Sequence, residues 1–216
     1  MSSDLFDRIA AIGVIPVIAI ENAAQAVSLA DALLEGGLPL AEITFRTTAA
    51  AEVMATLRDK RPELLVGAGT ILDSASLDAA KASGALFGLA PGYDAEIVAE
   101  AGRIGLPFAP GIMTPSELGA ALKQGARLCK FFPAGTAGGP AALAGISTPF
   151  AHLGCRFIPT GGVTEANLPD WLAVKDVLAV GGTWIATTSD IANGRWAEIA
   201  AKTRAAVARV REARGG

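Results

Sequence analysis

The chain has 216 residues, enough for one well-buried domain and short for two, so residues 1–216 read as a single domain. Apolar residues make up 51% of it without counting glycine, yet the longest apolar runs fall far below membrane-spanning length, which points to a buried parallel sheet and away from a bilayer. A formal net charge of −3 with scattered basic residues excludes nucleic acid and membrane surfaces as expected partners.

Residues 4–12 have helical spacing, with Leu5, Ile9 and Ile12 on one side. Residues 14–20, VIPVIAI, read as a buried strand whose Pro16 marks a bulge or a strand start. Asn22 caps a helix over 22–34 that Gly36-Gly37 ends. Strand two spans 38–45, and its helix spans 48–60 before Pro62. The alternation continues with strands at 64–69, 85–90 and 106–109 and helices at 74–83, 94–101 and 115–123. The sixth strand lies in ARLCKFFPAG, residues 126–135, and is followed by a helix at 140–146. Strand seven spans 156–159 with a short helix at 167–171; strand eight spans 177–180, and a helix at 195–210 follows. Eight strand–helix units fit a single (β/α)8 TIM barrel with an additional N-terminal helix, since a doubly wound sheet usually has fewer strands.

In such a barrel the chemistry gathers at the C-terminal ends of the strands. Strand six carries Lys130 between Leu128, Cys129, Phe131 and Phe132. Burial disfavours a charged amine, and a neutral amine attacks a ketone to form an imine. The alternative is a lysine whose head reaches water or pairs with a carboxylate. Strand two ends with Glu42, Thr44, Arg46 and Thr47, and alternation puts Glu42, Thr44 and Arg46 on one face. Glu42, inside LAEITF, is a candidate general acid/base or an ion-paired carboxylate, and Arg46 is its candidate partner or a carboxylate ligand. Gly161-Gly162 and Gly181-Gly182, after strands seven and eight, stand where these barrels usually seat phosphate on bare N–H groups. Thr183 adds a hydroxyl there; the other reading is two tight turns.

Cys129 and Cys155 stand in apolar runs without metal-ligand spacing and read as buried reduced thiols of a cytoplasmic protein. The N-terminus, MSSDLFDRIAAIG, has no basic region leading into a long apolar core, unlike a secretory signal. The single histidine, His152 in PFAHLG, reads as a loop or surface residue and leaves too few ligands for a mononuclear zinc site. Neither a metal nor a cofactor is expected.

The stretches VIPVIAI, AEITFRT, VGAGTIL, APG, PGIMTPSE, KFFPA, PTGGV and GGTWI come in an order that resembles the class I pyruvate aldolases acting on 2-keto-3-deoxy-6-phosphogluconate (KDPG), over most of the barrel. The resemblance implies reversible cleavage of a keto-acid phosphate to pyruvate and glyceraldehyde 3-phosphate, without a cofactor, in a homotrimer. It implies Lys130 as the Schiff-base lysine and Glu42 as the acid/base. It implies Arg46 and Thr70 as carboxylate ligands and Phe132 and Thr160 as walls beside the imine. Gly161, Gly162, Gly182 and Thr183 are the implied phosphate end; relatives often carry serine where Thr183 adds a methyl group. Open alternatives are the same chemistry on the galactonate epimer or on 4-hydroxy-2-oxoglutarate, a phosphosugar isomerase, epimerase or synthase barrel, and a non-catalytic phosphometabolite-binding module.

Overall fold

The computed structural model describes residues 2–215. Helix α1 (Ser2–Ile12) leads into β1 (Val14–Ile18), followed by α2 (Ala26–Glu35), β2 (Leu40–Thr44), α3 (Ala50–Lys60), β3 (Leu65–Gly69) and α4 (Ser74–Ala82). Then come β4 (Gly88–Leu89), α5 (Ala95–Arg103), β5 (Phe108–Ala109), β6 (Gly111–Ile112), α6 (Pro115–Lys123), β7 (Leu128–Phe131) and α7 (Gly139–Ser147). The chain finishes with β8 (Arg156–Pro159), α8 (Leu168–Leu172), β9 (Val180–Gly182), α9 (Thr188–Ala192) and α10 (Trp196–Ala213). Every residue of β1, β2, β3 and β7 is buried, as strands covered on both faces must be.

All strand pairs are parallel, in a six-stranded sheet ordered β5-β4-β3-β2-β1-β9 and a three-stranded sheet ordered β6-β7-β8. Isolated parallel bridges, Phe157 to Val177 and Thr160 to Gly181, link the β8 segment with the one around β9. The chain is thus a parallel α/β fold with an N-terminal helix, and its hydrogen-bonded ladder is not the single eight-strand run expected. The fifth strand stops at Ala109 and restarts at Gly111 in the other sheet. Between them stands Pro110, which has no N–H to donate, though its carbonyl accepts Lys130 N at 2.8 Å. The expected strand over 177–180 begins at Val180, and Val177 contributes only its isolated bridge.

Pro16 is neither a bulge nor a strand start. It ends the pairing with β9, opposite Gly182, and pairing with β2 begins at Val17. The missing donor falls where β1 changes partner, which is where it costs least.

The helix expected over 22–34 begins at Ala26, Asn22 capping only a 3-10 turn at Ala23–Gln25, whereas α4 and α6 begin where expected. Asp73 and Ser76 form a reciprocal capping box at α4, and Thr114 and Glu117 form another at α6 with Pro115 in its first turn. Such caps are each worth about 1 kcal/mol. α10 buries Ile199, Thr203, Ala206 and Val210, three to four residues apart, so one stripe of it faces the core.

Candidate active site

Register carries the site residues to one face. Glu42 pairs with Val17 and Gly67, and Lys130 pairs with Gly111 and Ile158. Residues in register share a face, and these two faces meet: Lys130 Nζ lies 3.0 Å from Glu42 Oε1. Their side chains are 5% and 0% exposed, so the pair is removed from water. Two such charges lose several kcal/mol each in desolvation, and neither would be tolerated alone. Of the two alternatives the sequence left for Lys130, the geometry shows the pairing with a carboxylate. Glu42 Oε2 is buried with no hydrogen-bond partner among the described residues. The Phe132 ring centroid lies 5.7 Å from Lys130 Nζ, within reach of a cation–π contact.

Thr160 follows β8. Its backbone is tied down, its N donating to Phe131 O at 2.9 Å and its O accepting Ala134 N at 2.8 Å. Its hydroxyl is buried without a partner among the described residues, an uncommon condition that costs about 1–3 kcal/mol. Gly161 and Gly162 have φ of +87° and +81°, the left-handed region that favours glycine. Gly161 O accepts Gly135 N at 2.7 Å, which fastens this turn to the segment after Lys130. Thr70, just past β3, also has positive φ, at 60°, and does so without being glycine. That costs about 1–2 kcal/mol.

Arg46 and Thr183, both exposed, line one cleft of about 230 Å³ with Val17, Thr44 and Thr187. Arg46 makes no ion pair among the described residues, so it is not the structural partner of Glu42. Thr44, on the same face as Glu42, gives its hydroxyl to Ile18 O at 2.9 Å. Gly182 is buried under the Trp184 indole, whose Nε1 is buried and unpartnered among the described residues. Of the predicted residues, Lys130 and Glu42 make a buried pair with Phe132 beside it, Thr160 carries a separate buried hydroxyl, and Arg46 and Thr183 face an open cleft between the ends of β1, β2 and β9.

Cys129 and Cys155 are buried free thiols with Sγ atoms 3.7 Å apart. The hydrogen bond from Cys155, together with burial, pushes the Cys129 thiol up. His152 is exposed in the 3-10 turn Thr148–Leu153. Nothing in the sequence marks the unpartnered Trp184 Nε1, or which oxygens at Glu42 and Thr160 stay unpaired, because those depend on packing between elements far apart in the chain.

Residues 6–202 match a family model described as "Aldolase: KDPG and KHG aldolase". The chain is 42% identical over 201 residues to the 2-dehydro-3-deoxy-phosphogluconate aldolase of Pseudomonas aeruginosa, covering 93% of this chain and 90% of that one. It is 38% identical to the KHG/KDPG aldolase of Escherichia coli, over 90% of each. A crystal structure of KDPG aldolase from Legionella pneumophila, with pyruvate captured as a covalent carbinolamine, superposes with a TM-score of 0.87 at 36% identity. It covers 92% of this chain and 96% of its own.

Proposed function

The chain belongs to the KDPG and KHG aldolase family, and from that premise we propose that it cleaves KDPG reversibly to pyruvate and glyceraldehyde 3-phosphate through an imine on Lys130. It is a carbon–carbon lyase. The observation that carries the reading is a lysine amine 3.0 Å from a carboxylate oxygen, both buried, with the second oxygen unpaired.

The pair supplies each proton the chemistry needs. Lys130 passes a proton to Glu42, and the neutral amine adds to the C2 ketone. Glu42 returns the proton to the departing hydroxyl, water leaves, and a protonated imine forms. As the C3–C4 bond breaks, its electrons move into the imine, and the C4 hydroxyl proton goes to the carboxylate. Glyceraldehyde 3-phosphate departs and leaves an enamine. Glu42 then protonates C3, and water hydrolyses the imine to pyruvate and the free amine. Burial keeps stray water from the enamine.

Arg46 and Thr70 take the substrate carboxylate in this reading, Phe132 and Thr160 flank the imine, and Gly161, Gly162, Gly182 and Thr183 seat the phosphate. The cleft shared by Arg46 and Thr183 supports a dianionic substrate entering there. Two bridges between the β8 and β9 segments, and the single residue between β5 and β6, support a closed (β/α)8 barrel over one domain. The homotrimer and the cytoplasmic location belong to the same proposal. Buried free thiols fit a reducing compartment, and no helix of the described residues is long and apolar enough to cross a membrane. Light scattering tests the trimer.

Release of pyruvate from KDPG tests the activity, with and without a chelator. A chelator-insensitive release is expected, and no release overturns the reading. Because the E. coli relative is a KHG/KDPG aldolase, 4-hydroxy-2-oxoglutarate is the second substrate to assay. A higher kcat/KM on that unphosphorylated acid would move the assignment to it.

A further inference from the structure

We propose that Gly69 is a positioning residue for the acid/base: by carrying no side chain, it opens the space through which the Glu42 carboxylate reaches Lys130. The inference rests on the roles of Lys130 and Glu42 proposed above.

In the β2–β3 ladder Glu42 is opposite Gly67, and Thr44 is opposite Gly69. The Glu42 side chain leans along the strand direction and ends beside Gly69, two residues beyond its own partner. A Cβ built on Gly69 would collide with Glu42 Oε1 and lie 2.7 Å from both Cδ and Cγ, closer than real Cβ contacts come. The backbone itself does not demand glycine. Gly69 ends a regular strand and is not among the glycines with positive φ, so alanine would fit its dihedral angles. The three atoms nearest to such a Cβ all belong to the Glu42 side chain.

Gly67, on the same face of the same strand, makes a useful contrast. The space where its Cβ would point is filled by the Phe87 ring, an apolar contact that serves packing. At Gly69 the space is filled by the atom that accepts from Lys130.

Glu42 is fully buried, and the atom that must shift to clear a methyl group at position 69 is Oε1, the one that accepts from Lys130. Gly69 thereby keeps Oε1 committed to the lysine and leaves Oε2, unpaired and buried, as the oxygen free to exchange protons with substrate.

The test is a double-mutant cycle on the full-length enzyme. Its readouts are exchange of pyruvate C3 hydrogens with deuterium in D2O, borohydride trapping of pyruvate on Lys130, and Tm. For Gly69→Ala we expect kcat for exchange to fall by about 10²-fold or more, with KM for pyruvate within about threefold and trapping on Lys130 retained. In a Glu42→Ala background, adding Gly69→Ala should change exchange less than about twofold and should no longer lower Tm, since the clash is gone. Should Glu42→Ala not fold, the cycle is run on Tm in Lys130→Met. There Gly69→Ala should lower Tm with Glu42 present and not with Glu42→Ala. Wild-type exchange in Gly69→Ala, or equal losses with and without the Glu42 side chain, overturns the inference. Wild-type exchange in Glu42→Gln overturns instead the acid/base role beneath it.

Discussion

Lys202 and Asp190 lie 2.6 Å apart between α10 and α9, and Lys130 and Glu42 lie 3.0 Å apart between β7 and β2. Asp190 Oδ2 also accepts the Thr187 hydroxyl at 2.7 Å, and its Oδ1 faces Arg195 at 3.6 Å. Both of its oxygens have cationic or hydroxyl partners, and its lysine stays 38% exposed. Among the described residues Glu42 has Lys130 alone, with Oε2 buried and unpartnered. The same two functional groups thus appear once as a saturated joint between helices and once as an unsaturated pair inside the sheets. A buried acceptor without a donor costs about 1–3 kcal/mol, and it endures where a substrate supplies what the fold omits.

The largest expected effect falls on the inner lysine. Lys130→Ala should abolish turnover. It should also cost about 3–5 kcal/mol in denaturant unfolding, because it strands Glu42 as an unpaired buried charge. Lys202→Ala, at the half-exposed pair, should cost about 1 kcal/mol or less. Equal losses at the two lysines would break the contrast between the pairs. Next comes Glu42→Gln, which keeps the shape and removes the proposed proton shuttle. Its kcat for KDPG cleavage should fall by about 10²–10⁴ while slow imine trapping persists.

Thr160→Val sharpens the contrast from the other side. It replaces an unpaired buried hydroxyl with a methyl group, so unfolding should become harder by about 1 kcal/mol while kcat/KM falls. A variant less stable than the parent would mean that the hydroxyl has a partner. The smallest effect is read in pH. The hydrogen bonds from Lys202 and then Thr187 hold the Asp190 carboxyl below its usual range. A depressed folded-state pKa adds stability above the unfolded value near 3.9 and loses it as pH falls through the folded value. Relative to Asp190→Asn, the parent should therefore be more stable at pH 6, with the gap closing below about pH 4. A gap that widens in acid would show the sign to be wrong.

Some of this could be seen in the chain alone, and the reasons are local. Lys130 stands out because an amine inside LCKFF is conspicuous, and Gly161-Gly162 because two adjacent glycines after a strand mark a backbone-exposing turn. The helices over 74–83 and 115–123 are legible as runs between strands, and their caps at Asp73 and Thr114 emerge in the structure. The break at Pro110 escaped because a one-residue interruption hardly alters an apolar run. The Lys130–Glu42 contact spans 88 positions, and only the registers of β2 and β7 bring it about. Gly69 was visible as a strand-end glycine, but its relation to Glu42 Oε1 is a three-dimensional fact of side-chain reach.

The most direct measurement is borohydride reduction of the enzyme in the presence of pyruvate, followed by peptide mapping. A reduced pyruvyl adduct on Lys130, with activity lost in proportion, is the predicted result. An adduct on any other lysine, or full activity after reduction, would contradict it.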